Sequence, residues 1–430
     1  MPDTPPYEEA IRLWNGAITH RPAMVVQPTS KTEVAAAVNC ARAHGFPISV
    51  RGGGHDWAGR GLAHNGLVID LSRMSRVDVD PSARIATIAG GATAADVVEA
   101  TEVHGLVPAT GSFGQVGMAG LTLGGGYGPL NGVAGLALDN LLGAEVVLPD
   151  GRIVTTDAEH EPDLLWALRG GGGNFGVVTA MRVRLHPIAS VVGGVIMYPW
   201  CQAEQVFRAY AELVPAMPDE LTVQIGMLSG PDGQPAVFLT PVWSGAADPT
   251  GWLERLASLG PPLLLQIQPM PYSGLLKLFD PHIAWGRHYE LRTRTLRTFT
   301  PGAIDALVRA GNSRSSVHSG IAIHHCHGAS TRVAIEQSAF GIREPHFVVE
   351  VVAAWDPAEE PNRHQDWADA LYHDLAPHAV DGGYPNLIGP QHAAQARKSY
   401  GPNAARLIAV KRRYDPDNVF NATTLPSDES

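Results

Sequence analysis

Residues 48–55 read Ile-Ser-Val-Arg-Gly-Gly-Gly-His, so a short β-branched run leads directly into three consecutive glycines and a histidine, His55. Upstream, the Met-Val-Val of residues 24–26 predicts another strand. Between the two, Ser30 and Glu33 form a capping-box pattern that opens a helix, and Gly45 ends it. The stretch therefore predicts a strand–helix–strand unit whose second strand ends in a glycine loop.

Glycine is abundant throughout the first half of the chain. The sequence has 47 Gly and 34 Pro in 430 residues, yet 45% of its residues are hydrophobic and the mean hydropathy is −0.02, which excludes disorder. Much of the excess falls in three predicted turns, at residues 52–54, 111–128 and 170–176. Successive glycine N–H groups can converge on an anion such as a diphosphate, although tight turns between packed elements are the simpler explanation.

Two common nucleotide-binding motifs are excluded by context. Residues 171–176 match GxGxxG, but they follow a predicted helix and precede a predicted strand, the reverse of the dinucleotide-binding order. No glycine cluster is followed by the Gly-Lys-Ser/Thr of a phosphate-binding loop.

Charge and cysteine content narrow the class of protein. The 31 Lys and Arg against 42 Asp and Glu give a net charge of −11 without a basic block, so we expect no nucleic-acid partner. We expect no membrane span and no export signal, since the first ten residues are polar and acidic and no apolar run is long enough. Three widely spaced cysteines, Cys40, Cys201 and Cys326, suit a cytoplasmic location and give no thiolate metal site.

After Pro187 the pattern changes to long alternating strands, predicted at residues 191–197, 221–227, 236–242, 320–325 and 346–354, with amphipathic helices between them. This indicates an α+β domain built on an antiparallel sheet. We predict a first domain at residues 1–190, a second at 191–385, and a C-terminal segment at 386–430 whose helix, residues 404–413, packs back on the first domain.

The order of the motifs is more specific than any one of them. Arg51-Gly-Gly-Gly-His55, Gly117-Met-Ala-Gly120 with Gly124-Gly-Gly-Tyr-Gly128, Asp139-Asn140 and the stretch from Trp166 to Val178 follow one another. This series resembles the FAD-binding domain of the vanillyl-alcohol oxidase and p-cresol methylhydroxylase superfamily, and within it the berberine bridge enzyme-like branch. Further landmarks, from Trp14-Asn15 to Tyr400-Gly-Pro-Asn403 and residues 411–420, extend the resemblance over nearly the whole chain.

The resemblance implies an α+β fold: a two-subdomain, p-cresol methylhydroxylase-type FAD-binding domain, and a substrate domain with a large antiparallel sheet backed by helices. It implies FAD held covalently through the 8α-methyl by His55, which without the motif order is more simply a hydrogen-bonded loop histidine. A neutral imidazole is a suitable nucleophile for that bond. The other residues that it places at the cofactor are Arg51, Gly52, Gly53, Gly54, Gly111, Ser112, Val116, Gly117, Gly120, Gly124, Gly125, Gly128, Asn140, Gly173, Gly176, Val178, Tyr384 and Asn386.

In many relatives a cysteine near Gly111 makes a second bond to the flavin. Here Phe113 stands at the corresponding position, and none of the three cysteines is placed to substitute for it. We therefore predict a single, histidyl link. Val116 matches a small residue that admits dioxygen in relatives, which favours an oxidase.

A flavin enzyme also needs a base for the O–H or N–H proton of its substrate. Glu350 is the only carboxylate in the apolar run of residues 347–355, so it is either functional or paired, for example with Arg343. His324 and His325 point to opposite faces of their strand, and we favour His325 as the one that faces the flavin. A metal site built from the His-His-Cys-His of residues 324–327 lacks the usual ligand spacing.

The resemblance adds Tyr400, the second residue of a tyrosine pair in which Ser399 replaces the first. The predicted catalytic residues are therefore Glu350, Tyr400 and His325, with no metal. We expect an FAD-dependent oxidase that removes a hydride from an alcohol or amine carbon of a sugar, alkaloid or secondary metabolite and passes the electrons to dioxygen. A dehydrogenase with another acceptor and a non-catalytic flavin-binding protein are the alternatives. We expect a monomer or homodimer.

Overall fold

The computed structural model describes residues 4–280 and 283–427. The opening unit is a small parallel sheet of order β1-β3-β2, in which Ile48 pairs with Leu67. Its helix α2 begins where predicted, because the Ser30 hydroxyl accepts a hydrogen bond from the Glu33 N–H at 3.3 Å. The elements are β1 (Met24–Val26), β2 (Ile48–Arg51), β3 (Leu67–Asp70), α1 (Pro5–Ala10) and α2 (Lys31–Ala43).

A second sheet completes the first half of the chain. Its strands run in the order β4-β5-β9-β7-β8, with β6 paired to β9, and the predicted hairpin is β7–β8. The second and third glycine clusters lie in its connections, whereas the first lies between β2 and β3 of the small sheet. Its elements are β4 (Val77–Asp80), β5 (Ile85–Ala89), β6 (Val107–Pro108), β7 (Leu141–Val147), β8 (Ile153–Thr156), β9 (Val177–His186), α3 (Ala94–Glu102), α4 (Met118–Gly124), α5 (Asn131–Ala134) and α6 (Pro162–Leu168).

The second half forms a seven-stranded antiparallel sheet of order β13-β10-β12-β11-β15-β16-β14. This confirms the expected α+β fold. The strands are β10 (Val191–Pro199), β11 (Leu221–Ser229), β12 (Pro235–Trp243), β13 (Leu264–Met270), β14 (His288–Leu296), β15 (Gly320–Cys326) and β16 (His346–Trp355), and the helices are α7 (Ala203–Leu213), α8 (Thr250–Ala257), α9 (Tyr272–Leu275), α10 (Pro301–Asn312) and α11 (Asn362–Leu375).

The two faces of this large sheet have different neighbours. One face carries Ile225, Ile323 and Val349, which pack in a core with the helices α7, α10 and α11. Side chains one position along each strand point to the other face, toward the first half of the chain. The alternation of β11, β15 and β16 therefore decides which side chains reach the space between the two halves.

The C-terminal segment packs on the first half of the chain. It contains α12 (Ala393–Lys398) and α13 (Ala404–Tyr414), and α13 packs against α6. Lys411 then ties the tail down, since its ammonium donates to the Asn174 carbonyl at 2.8 Å, the Phe420 carbonyl at 2.6 Å and the buried Asp415 carboxylate at 2.6 Å. No helix in the described ranges is long and apolar enough to span a bilayer.

Candidate active site

A large cavity lies between the glycine loops and the cavity-facing side of the seven-stranded sheet. Its volume is 1040 Å³, at the upper end for small-molecule and cofactor sites. One side of it is formed by the three glycine clusters and by residues 417–423 of the tail. Side chains of β11, β15 and β16 form the other side, so the cavity has a wall from each half of the chain.

In the glycine wall, the side of the cavity that the glycine clusters form, the loops at Gly53 and Gly117 pack too closely for side chains. A Cβ on Gly53 would lie 2.5 Å from the Gly117 nitrogen, and Gly54 has a φ of +68°. At Gly120, by contrast, nothing lies within 4 Å of a Cβ, because that position opens toward the cavity. Two loops that approach at backbone distance leave N–H groups available to an elongated polar ligand.

His55 stands at the end of this wall. Its ring stacks on Trp14, with centroids 4.6 Å apart, and Trp14 stacks in turn on Tyr289 at 3.9 Å. Burial lowers the pKa of His55 to about 4, so the imidazole is neutral at pH 7. Its Nε2 is buried and has no hydrogen-bond partner among the described residues. A neutral, oriented imidazole with a free nitrogen can act as a nucleophile toward a ligand in the cavity.

Glu350 projects into the cavity from the opposite wall. Its Oε1 accepts a short hydrogen bond from the Tyr127 hydroxyl and lies 3.5 Å from His324 Nε2, which is 3.3 Å from the amide nitrogen of Gln224. The pairing with Arg343 that the sequence left open does not occur, because Arg343 binds Asp139 at 2.8 Å.

The charges in this cluster are set by burial. Desolvation raises the pKa of Glu350 to about 7, against the smaller lowering effect of the Tyr127 hydrogen bond. Desolvation also lowers the pKa of His324 to about 3 and raises that of Tyr127 well above its usual value. Glu350 is therefore the one member of this cluster that gains or loses a proton near neutral pH.

Comparisons with known proteins agree with this arrangement. A family model described as "FAD binding domain" matches residues 22–157, and one described as "Berberine and berberine like" matches residues 384–424. The FAD-linked oxidoreductase aurO of Gibberella zeae is 31% identical over 97% of this chain and 83% of its own length. The chain belongs to the berberine bridge enzyme-like family of FAD-linked oxidoreductases.

Other members of the family support the same fold. The (R)-6-hydroxynicotine oxidase of Paenarthrobacter nicotinovorans is 28% identical over 97% of this chain and 94% of its own. The solved 6-hydroxy-D-nicotine oxidase of Arthrobacter nicotinovorans superposes with a TM-score of 0.88 at 26% identity, covering 99% and 96% of the two chains. Glucooligosaccharide oxidase of Acremonium strictum gives 0.89 at 24% identity, with coverages of 99% and 96%.

FAD fits the cavity of this family member. Most of the residues predicted at the cofactor line it: Arg51, Gly52, Gly53, Gly54, His55, Gly111, Ser112, Val116, Gly117, Gly120, Gly173, Gly176, Val178, Tyr384 and Asn386. The glycine wall suits the diphosphate, and the free nitrogen of His55 suits a bond to the flavin. Phe113 also lines the cavity, whereas none of the three cysteines does.

Four predicted cofactor residues lie behind the lining instead. Gly124 and Gly125 pack against the side chains of Asn386 and Tyr384, where a Cβ would lie 2.2 and 2.4 Å from them, and Gly128 packs against the Thr110 carbonyl. The Asn140 amide donates to the carbonyls of Ala134 and Leu136 at 2.8 and 2.9 Å, and its oxygen lies 2.8 Å from His186 Nε2. These residues shape the loops that hold the wall.

Two predicted catalytic residues are corrected by the structure. His325 lies on the helix-packed face, stacked on Phe347 at 4.8 Å and on His327 at 4.3 Å, so His324 is the histidine that faces the cavity. Tyr400 is fully buried in the core of the first half, with its hydroxyl 3.5 Å from the Thr424 carbonyl. Neither side chain lines the cavity.

The sequence carried signals for two site residues that it did not single out. Tyr127 is the only residue other than glycine in the stretch Gly124–Gly128. Gln224 is the one amide in the apolar run of β11, which is the same signal that pointed to Glu350. Residues 417–423, by contrast, reach the cavity only because the tail folds back on the first half.

Proposed function

We propose that this FAD-linked oxidoreductase is an oxidase that removes a hydride from the alcohol or amine carbon of a small organic substrate. The observation that carries the proposal is the cavity itself: His55 and the glycine wall bound one side, and Glu350 projects from the other. A substrate between them can meet the cofactor and a proton acceptor together.

When bound, FAD supplies the hydride acceptor and passes the two electrons to dioxygen, which gives hydrogen peroxide. The residues of this chain bind and orient the substrate and move its proton. Glu350, ionised above about pH 7, accepts the O–H or N–H proton. Tyr127 holds the Glu350 carboxylate by its hydrogen bond, while His324 and Gln224 support it from β15 and β11.

The proposal includes one covalent link to FAD, at His55. His55 would hold FAD through an imidazole nitrogen in place of one hydrogen of the 8α-methyl group, and the two electrons and two protons of that substitution would leave with dioxygen as peroxide. The description of the Acremonium strictum oxidase names a 6-S-cysteinyl, 8α-N1-histidyl FAD. Here Phe113 stands at the position where the family resemblance implies the cysteine of other members, which supports a single bond.

The electron acceptor separates the oxidase from its main alternative, a dehydrogenase. Val116, a small side chain in the cavity lining, supports access of dioxygen to the cofactor. The test is to bleach the flavin anaerobically with a donor and mix it with air-saturated buffer in a stopped-flow instrument. Rapid return of the yellow colour with stoichiometric peroxide supports an oxidase, whereas slow return with fast reoxidation by a dye or quinone supports a dehydrogenase.

A cytoplasmic location and a monomeric or homodimeric state complete the proposal. All three cysteines are free, with Cys40 and Cys201 exposed and Cys326 buried, which suits a reducing compartment. Cell fractionation tests the location, and light scattering after gel filtration tests the assembly.

A further inference from the structure

The substrate-facing wall of the cavity is mostly apolar. From the large sheet and its connections it includes Leu228, Phe238, Phe279, Ala322 and Val352. Phe113 from the first half packs in the same cluster as Phe238 and Phe279. A ligand that fills this part of the cavity gains free energy from its apolar surface.

The polar side chains on this wall already have partners. The Tyr289 hydroxyl donates to the Ala284 carbonyl at 2.8 Å, and His318 Nε2 lies 3.7 Å from the Asp356 carboxylate. Gln224 and His324 contact each other. A polyhydroxylated ligand would find few groups to satisfy its hydroxyls, and each unsatisfied one costs about 1–3 kcal/mol.

The wall also has few charged side chains. Glu350 is the one carboxylate that the large sheet gives to the described lining, and that sheet gives it no Lys or Arg. The arginines that line the cavity belong to the first half and have partners: Arg42 binds Asp417 of the tail at 2.6 Å, and Arg51 binds Asp70 and Arg60 binds Asp56, each at 3.1 Å. The Glu350 carboxylate therefore lacks a counter-charge from the protein.

We infer that the substrate is a predominantly apolar amine whose protonated nitrogen binds the Glu350 carboxylate. This rests on the proposed function. The ammonium ion supplies the missing counter-charge, and the rest of the molecule fills the apolar wall. Oligosaccharides, which other solved proteins of this fold oxidise, do not match the wall.

In the reaction, Glu350 acts as the proton acceptor. Its carboxylate takes one proton from the ammonium nitrogen, and the freed lone pair forms a carbon–nitrogen double bond as a hydride leaves the adjacent carbon. The two electrons leave with that hydride to the acceptor that the proposed function supplies. The product is an iminium ion, which water hydrolyses outside the site.

The first test measures binding to the holoenzyme through the perturbation of its flavin spectrum, without oxygen and at about pH 8. The probes are 4-butylbenzylamine, the matched 4-butylbenzyl alcohol, and cellobiose. We expect the amine to bind at least tenfold more tightly than the alcohol, about 1.4 kcal/mol, and cellobiose not to bind at millimolar concentration. Shortening the alkyl chain should weaken amine binding about fourfold per methylene.

Glu350→Gln tests the ion pair, with the exposed Glu344→Gln as the matched control. The titratable groups that face Glu350 in the described structure are Tyr127, Tyr384 and His324, and burial keeps all three neutral near pH 7. Amine affinity should therefore rise between about pH 6 and 8 in the native enzyme and in Glu344→Gln. Glu350→Gln should lose this rise and most of the preference for the amine.

The outcomes separate the two proposals. Equal or tighter binding of the alcohol, binding of cellobiose, or an unchanged preference in Glu350→Gln would overturn the amine inference while leaving the oxidase intact. An amine that binds as expected but never bleaches the flavin, together with no peroxide from any donor, would overturn the proposed function instead.

Discussion

Glu350 is a carboxylate whose ionisation is opposed by burial, and its function depends on being ionised. For a donor that does not itself titrate, kcat/KM should therefore rise with pH with an apparent pKa near 7. Glu350→Gln should lower kcat/KM by about 10²–10⁴-fold and remove that rise, whereas Glu344→Gln should change neither. A native rate that stays flat from about pH 5 to 9 would show that another group accepts the proton.

Ionisation of the buried Glu350 should also lower the stability of the folded protein. The unfolded chain ionises Glu350 above about pH 4.5 and the folded chain only above about 7, so its contribution to stability falls as pH rises through this window. At pH 8, Glu350→Gln should therefore be more stable than the native protein, with a free energy of unfolding higher by at most about 3 kcal/mol and a higher unfolding temperature. The gap should close near pH 4.5. Calorimetry at the two pH values measures it, and an equal gap at both would contradict the account.

At the scale of elements, Lys411 on α13 fixes the tail that closes the cavity. Lys411→Met leaves the buried Asp415 carboxylate without its cation, so we expect a loss of about 3–5 kcal/mol and weaker FAD retention. Lys398→Met is the control, since Lys398 makes an exposed ion pair with Asp381, whose loss should cost less than about 1 kcal/mol. Urea unfolding and the flavin-to-protein absorbance ratio provide the measurements; equal losses in both variants would refute the role of Lys411.

The sequence predicted the elements whose hydrophobic residues recur at regular spacing. The strands β10, β11, β12, β15 and β16 and the cap at Ser30 are all present in the structure. It missed β13 and β14, the two edges of the large sheet. In β14 the period is hidden, because Arg292 is buried there through ion pairs with Glu290 and Asp369.

The errors at the site arise because a local sequence pattern does not show what packs against each face of a strand. Alternation places His324 and His325 on opposite faces but does not say which face meets helices and which meets the cavity. The two isoleucines that share a face with His325, Ile321 and Ile323, pack on that helix side, and small Ala322 shares the other with His324. Tyr400 matched a motif, yet its position depends on the path of the tail, which no local pattern encodes.

At the scale of the whole molecule, buried neutral histidines should make the fold sensitive to acid. Desolvation lowers the pKa of His55 and His346 to about 4 and that of His324 to about 3, below the ordinary 6.5. The native state therefore binds fewer protons than the unfolded chain between about pH 6.5 and 4, and stability is lost as pH falls through that range. Glu350 opposes the trend, but it is one group against three.

Urea midpoints at pH 7.5 and 5 measure this effect, and we expect the lower midpoint at pH 5. His346→Gln should reduce the difference, whereas the exposed His104→Gln should leave it unchanged. A midpoint that does not fall between the two pH values would contradict the neutral, buried state of these histidines.

Both halves of the chain line one cavity, and we propose that FAD is fixed in it at His55, opposite Glu350. The most direct measurement is to denature the holoenzyme in acid, digest it, and weigh the peptides. The account predicts the mass of the flavin on the peptide that contains His55 and none on the peptide that contains Phe113. Release of all the yellow flavin into solution, with an unmodified His55 peptide, would contradict it.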